Sequence, residues 1–194
     1  MAAKNYTIPP HGGVLVDRQL RGVLRDAVLE RVFSLPRITL SPMAVSDLEL
    51  IAIGGFSPLA GFMTREDYES VVNDMRLANG LVWSIPVTLP VERERADTLR
   101  EGQEIALEEP GGHILGILTL QERFEYDKER EAEKVYRTTD PAHPGVARLY
   151  AQGDVLLGGP VYMLDRPKNR QFLEHYHDPA DTRRMFAERG WRRV

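Results

Sequence analysis

The close spacing of backbone breakers constrains this chain more than any other sequence feature. It has 16 Gly and 13 Pro in 194 residues, and between residues 35 and 164 they recur so often that no periodic segment can run far. Glycine gives up more backbone freedom than other residues inside a regular element, and proline removes a donor, so each tends to end what precedes it. Long helices alternating regularly with strands, as a doubly wound parallel sheet requires, do not fit this punctuation. Short strands joined by hairpins and brief helical turns do. The fold class expected is therefore α+β, a mixed, barrel-like domain with short flanking helices.

Hydrophobic periodicity fills in the elements. Leu20, Val23, Leu24, Ala27, Val28 and Val32 recur at helical spacing and predict a helix over about Arg18–Phe33, which Leu35-Pro36 ends. A short strand follows at Arg37–Leu40. Ser46, with Glu49 three residues on, reads as a capping box for a helix through Ile53, closed by Gly54-Gly55. Thr64 and Asp67 open another helix with Tyr68, Val71, Val72 and Met75 on one face. After the Asn79-Gly80 turn, Leu81–Val91 alternates as a strand whose Pro86 and Pro90 place it at an edge or bulge. Glu104–Leu107 and Ile114–Leu120 flank Pro110-Gly111-Gly112 as a hairpin. Phe124–Tyr136 reads as a charged helix, and Pro144 starts another that Gly153 ends. Val155–Leu164 is a strand with a bulge at Gly158-Gly159-Pro160. Asp178 caps a last helix with Pro179 in its first turn, reaching about Arg189 before Gly190.

Composition narrows the function. The chain has no Cys, which excludes disulfides, thiolate metal sites and thiol nucleophiles and suits a reducing, cytoplasmic setting. Lys+Arg number 25 against 29 Asp+Glu, a net charge of −4, and Glu92–Lys134 holds 13 acidic and 7 basic residues. That balance argues against a nucleic-acid partner, which would need a basic footprint. Residues 165–194 carry 8 basic against 5 acidic residues, a local net of +3. Of the 25 basic residues only Lys4, Lys128, Lys134 and Lys168 are lysines; the arginines form no stripe. Met1–Pro10 lacks the apolar core of a signal peptide, and no run approaches a membrane span.

No self-contained catalytic constellation emerges. None of the pairs Gly12-Gly13, Gly54-Gly55, Gly111-Gly112 and Gly158-Gly159 is followed by Gly-Lys-Ser/Thr, so they read as turns and helix ends rather than phosphate loops. His175 and His177 could face one metal from an extended segment, yet two ligands without a third favour a plain linker. His11, His113 and His143 sit beside Gly or Pro in turns. Ser57 has no nominated base and no Gly-x-Ser-x-Gly around it, so it too reads as structural. Catalytic, cofactor-binding and metal residues are accordingly expected to be none.

One segment goes further. Asp47-Leu48-Glu49, then Gly54-Gly55-Phe56-Ser57-Pro58-Leu59-Ala60-Gly61-Phe62-Met63, followed by Asp67-Tyr68, resembles a motif of the N-terminal domain of the ATP sulfurylase (sulfate adenylyltransferase) family. Trp83–Leu89, His143-Pro144-Gly145-Val146, Gly158-Gly159-Pro160-Val161, Pro179–Arg183, Phe186 and Gly190–Val194 resemble further family segments. The resemblance implies a PUA-like mixed β pseudo-barrel over residues 1–168. Residues 169–194 would be a linker and the first helix of an α/β nucleotidyltransferase domain whose remainder is absent. Asp47, Glu49, Gly54, Gly55, Phe56, Pro58, Leu59, Gly61, Phe62 and Met63 are the motif residues, with a structural role. The family's Gln-x-Arg-Asn-Pro and Gly-Arg-Asp-His-Ala-Gly motifs have no counterpart, so the chain is expected to stop short of the active site. ATP and Mg would belong to the full-length enzyme, and the missing catalytic domain and a homo-oligomer are the partners implied. The alternative, a stand-alone PUA-like module binding RNA or protein, has the acidic balance against it.

Overall fold

The computed structural model describes residues 8–168, 172–191 and 193. Its elements run α1 (Gly22–Val32), β1 (Arg37–Thr39), α2 (Pro42–Ala52), β2 (Gly61–Phe62), α3 (Arg65–Asp74), β3 (Pro90–Val91) and α4 (Arg93–Ala96). Then come β4 (Glu104–Glu108), β5 (Ile114–Thr119), β6 (Glu122–Glu125), α5 (Lys128–Glu131), α6 (Pro144–Tyr150), β7 (Val155–Met163) and α7 (Pro179–Glu188). Most elements are short, as the Gly and Pro spacing demands. The architecture is the expected α+β.

One mixed sheet of seven strands organises the molecule, in the order β1-β4-β5-β7-β2, with β3 and β6 also pairing with β7. Among the described strand pairs, only β1 and β4 run parallel. The long β7 is the spine. Its C-terminal part pairs with β5 through Leu118↔Val161 and Gly116↔Met163. Its N-terminal part pairs with β6 through Phe124↔Leu156 and with β3 through Pro90↔Leu156. The change of partner falls at Gly158-Gly159-Pro160, where the sheet curls into a half-barrel. Gly159 has φ 148°, and a Cβ on it would lie 2.2 Å from the Thr119 carbonyl oxygen, so only glycine fits.

Burial on both faces explains why β4 and β5 read as near-continuous apolar runs. Ile105, Leu107, Leu115 and Leu118 face the main core, with Leu48, Ile51, Phe62, Tyr68, Val71, Phe124, Leu156 and Leu157. Ala106, Ile114 and Ile117 face the other way, under Val28 and Val32 of α1. The hairpin tip expected at Pro110-Gly111-Gly112 joins these two strands.

Five local expectations differ from the structure. α1 begins at Gly22 rather than Arg18, and Val23 and Leu24 are exposed because only its last turns reach the two-stranded patch below. α2 begins four residues before Ser46. Ser41 is its N-cap, accepting from the Ala44 N–H at 3.2 Å, while Ser46 Oγ bonds back to the Pro42 carbonyl. Leu81–Val91 is not a continuous strand: it contains one bridge, Arg76↔Val82, and then β3. Proline has no N–H for a ladder, and Pro86 and Pro90 interrupt it. Phe124 lies in β6, not a helix, and the charged helix shrinks to α5 followed by a single π turn over Ala132–Tyr136. α3 opens after Thr64 with Asp67 in its first turn, as expected, but Met75 leaves that helix's buried face as a left-handed C-cap with φ 54°.

Candidate functional site

The motif segment forms a connected piece of backbone from the end of α2 to the start of α3. Gly54, with φ 85°, turns the chain out of α2, and a Cβ there would meet the Val16 carbonyl at 2.4 Å. Phe56 packs edge-on to Trp83, ring centroids 5.9 Å apart. Ser57 is buried and spends its hydroxyl on backbone: it donates to the Gly54 carbonyl at 2.8 Å and accepts from the Val16 N–H at 2.9 Å. The Ser57-Pro58 peptide is cis. Leu59, Phe62 and Met63 enter the main core, and the Met63 sulfur accepts from the Val87 N–H at 3.5 Å. Gly61 pairs with Pro160 in β7, and a Cβ on it would sit 1.9 Å from the Gly159 carbonyl oxygen. Gly55 is exposed, with Leu50 beside it. Two carboxylates of the motif lie on α2. Asp47 is half-buried, and burial pushes its carboxyl up to about 6. Glu49 lies 3.6 Å from the Arg166 guanidinium.

The motif therefore binds three distant parts of the chain together, the segment around Val16–Gln19, the centre of β7 and the 83–87 stretch. Sequence reasoning missed the partners on the other side. Arg18 donates through Nε to the Val161 carbonyl at 3.0 Å and stacks over the Tyr162 ring at 3.8 Å. Arg166 meets Glu49, Gln19 and Asp178. No local pattern could have nominated these arginines, because their partners lie up to 147 residues away.

The histidines are dispersed. His11 contacts the Val82 carbonyl at 2.9 Å, and His143 Nδ1 accepts from the Gly145 N–H as the N-cap of α6. His175 is exposed and nearest Glu174, at 3.7 Å. His113, read from the sequence as a turn residue, meets two carboxylates: Glu109 Oε1 at 2.8 Å and Asp165 Oδ2 at 3.1 Å. Asp165 enters through the fold, at the end of β7. Burial pushes the Asp165 carboxyl up, but bonds from His113 and the Arg166 N–H, with the charges of His113 and Arg25, outweigh it and hold it below its ordinary value. Among the described residues no three His, Asp or Glu side chains are grouped so as to hold a metal ion. Arg192 and Val194 of the C-terminal family segment lie outside the described residues.

A family model described as a PUA-like domain matches residues 8–166. The chain belongs to the PUA-like domain family. The motif, the half-barrel and the curled β7 all fall within that match. Over the whole chain the relatives are sulfate adenylyltransferases. That of Symbiobacterium thermophilum is 56% identical over 187 residues, covering 96% of this chain and 47% of the relative. Those of Synechococcus sp. strain JA-3-3Ab and Trichormus variabilis are 53% and 50% identical over all 194 residues, covering 49% and 50% of the relatives. The PUA-like chain thus spans about half the length of the curated relatives it matches. Among solved structures, the hexameric APS kinase from Thiobacillus denitrificans aligns with 96% of this chain and 32% of its own, at 29% identity and a TM-score of 0.74. No helix among the described residues is long and apolar enough to cross a membrane.

Proposed function

We propose that this chain is the N-terminal, non-catalytic domain of a sulfate adenylyltransferase, which joins sulfate to the α-phosphate of ATP and releases pyrophosphate. The observation that carries the reading is identity of 50–56% along the chain to sulfate adenylyltransferases of which it spans about half. Residues 1–168 are the PUA-like scaffold in this reading, and residues 169–194 lead into the catalytic half. The ten motif residues from Asp47 to Met63 have a structural role, locking α2, β2 and β7 to one another. The chemistry of the segment supports that role, since Gly54 and Gly61, and the hydroxyl of Ser57 that lies between them, are committed to backbone contacts.

ATP is then a substrate of the whole enzyme. Mg would supply charge neutralisation at the phosphates, and the described residues do not furnish a ligand set for it. The scaffold's partners are the catalytic half and, by analogy with the hexameric neighbour, further copies of the same protein. Its compartment in this reading is the cytoplasm.

The test is sulfate-dependent exchange of radiolabelled pyrophosphate into ATP. The chain alone should show none. A chimera joining it to the second half of the Symbiobacterium thermophilum relative should show exchange. Exchange by the chain alone, or a folded chimera that performs none, overturns the reading.

A further inference from the structure

Helix α7 is unlike the other long helices of this molecule. α1, α2 and α3 each bury two or more residues, whereas α7 buries none. A ten-residue helix is marginal in water unless something holds it, so its polar ties carry unusual weight. The densest group of them surrounds one side chain. The Arg166 guanidinium meets both carboxylate oxygens of Asp178, the residue just before α7: Nη1 lies 2.9 Å from Oδ1, and Nη2 pairs with Oδ2. Nη2 also donates to Gln19 Oε1 at 2.8 Å, and Nη1 lies 3.6 Å from Glu49 of α2. Tyr176 stands 6.0 Å from the same guanidinium.

Two further facts give this cluster a direction. Asp178 occupies the N-cap position yet makes no side-chain cap bond, so its carboxylate is turned from the helix to Arg166. Gln19 and Glu49 belong to the half-barrel side, Gln19 bridged to Met163 at the end of β7 and Glu49 within the motif. Asp178 and Glu49 are largely covered, at 17% and 13% side-chain exposure. A two-pronged, partly desolvated arginine–carboxylate pair fixes direction as well as distance, which an exposed lysine pair would not.

We propose that Arg166 is a positioning residue, a latch that sets the orientation of α7 on the half-barrel with Glu49 and Gln19 as its anchor and Asp178 as its catch. Whatever the chain carries beyond α7 takes its starting direction from this latch. That consequence rests on the scaffold reading above; the latch itself does not. The motif's Glu49 then has a task the core packing does not account for, holding the arginine that holds the helix. A second tie, from Arg183 Nη1 to the Ile8 carbonyl at 2.6 Å, marks the far side of the same docking.

Amide hydrogen exchange of the chain, read by mass spectrometry, tests the latch independently of any transferase activity. Peptides covering Thr182–Ala187 are compared with peptides from β5. In the wild type the helix amides should be protected. Arg166→Ala and Asp178→Ala should each speed their exchange at least tenfold while β5 is unchanged, and the double variant should be no faster than either single one. Arg166→Lys should recover part of the protection, because the charge remains and the fork is lost. Since Asp178 makes no cap bond, its alanine variant reports the latch rather than a lost cap. It also decides the matter alone if Arg166→Ala does not fold. Exchange in α7 that is unprotected in the wild type, or unaltered in Asp178→Ala, overturns the proposal, as does additivity in the double variant.

Discussion

Glu131 is, with Ser57, one of two buried polar or charged residues among the described residues, and it accepts a hydrogen bond from the Tyr68 hydroxyl at 2.8 Å. Burial pushes its carboxyl up to about 7, against a smaller opposing effect of the Tyr68 bond; burial and the charge of Glu131 push the Tyr68 hydroxyl up in turn. The sign follows from proton linkage. Between pH 4.5 and about 7 the folded form keeps a proton that the unfolded chain releases, so this contribution is full below pH 4.5 and is lost as pH rises. The total is about 3 kcal/mol. Asp47, raised to about 6 by its own burial, acts in the same direction. Glu131→Gln keeps an acceptor for Tyr68 and removes the ionisation. Urea unfolding at a series of pH values should show the variant more stable than wild type at pH 8, with a flatter profile between pH 5 and 8. An unchanged slope would count against this assignment. None of it was legible in the sequence, where Glu131 is one carboxylate among thirteen in an acidic stretch and only the fold places it under Tyr68.

The elements show which local signals survive tertiary competition. Turn and terminator signals did well at Gly54, Asn79-Gly80 and Pro110-Gly111-Gly112, because a positive φ or a missing N–H is a property of the residue itself. The capping box did poorly. Ser46-x-x-Glu49 has the right spacing, but Ser41-Pro42 has a cap and a preferred first-turn residue together and wins the start of α2. Two alanine variants separate these alternatives. Ser41→Ala should cost about 1 kcal/mol in thermal or urea unfolding, whereas Ser46→Ala should lie within about 0.5 kcal/mol of wild type. Phe124 departs from its local signal for a related reason: its charged neighbours suggest a solvated helix, but pairing with Leu156 draws it into β6 and the core.

At the scale of the molecule, β7 is the element on which the others depend, since β2, β3, β5 and β6 all pair with it. Leu118 lies opposite Ile105 on one side and Val161 on the other, fully buried. Leu118→Ala should therefore lower stability by about 3 kcal/mol and shift the whole unfolding transition in calorimetry rather than open one edge. The arginine-rich basic set also finds uses at this scale. Arg31 grips both oxygens of Glu104 at 2.8 Å, Arg18 sits over the Tyr162 ring at 3.8 Å, and Arg166 joins the half-barrel to α7. Each use depends on a planar fork that lysine lacks. The family motif was legible because it is contiguous, whereas the arginines that meet it were not, because they approach from opposite ends of the chain.

The fold class, the hairpin and the motif with its family were readable from the sequence, since breakers, alternation and contiguous patterns act over a few residues. Tertiary structure alone decided which serine caps α2, where Leu81–Val91 loses its ladder, which carboxylate is buried under Tyr68, and that Asp178 faces Arg166 instead of its own helix. Those choices are differences of about 1–3 kcal/mol between competing local options. Burial and long-range pairing settle them only when the chain closes on itself.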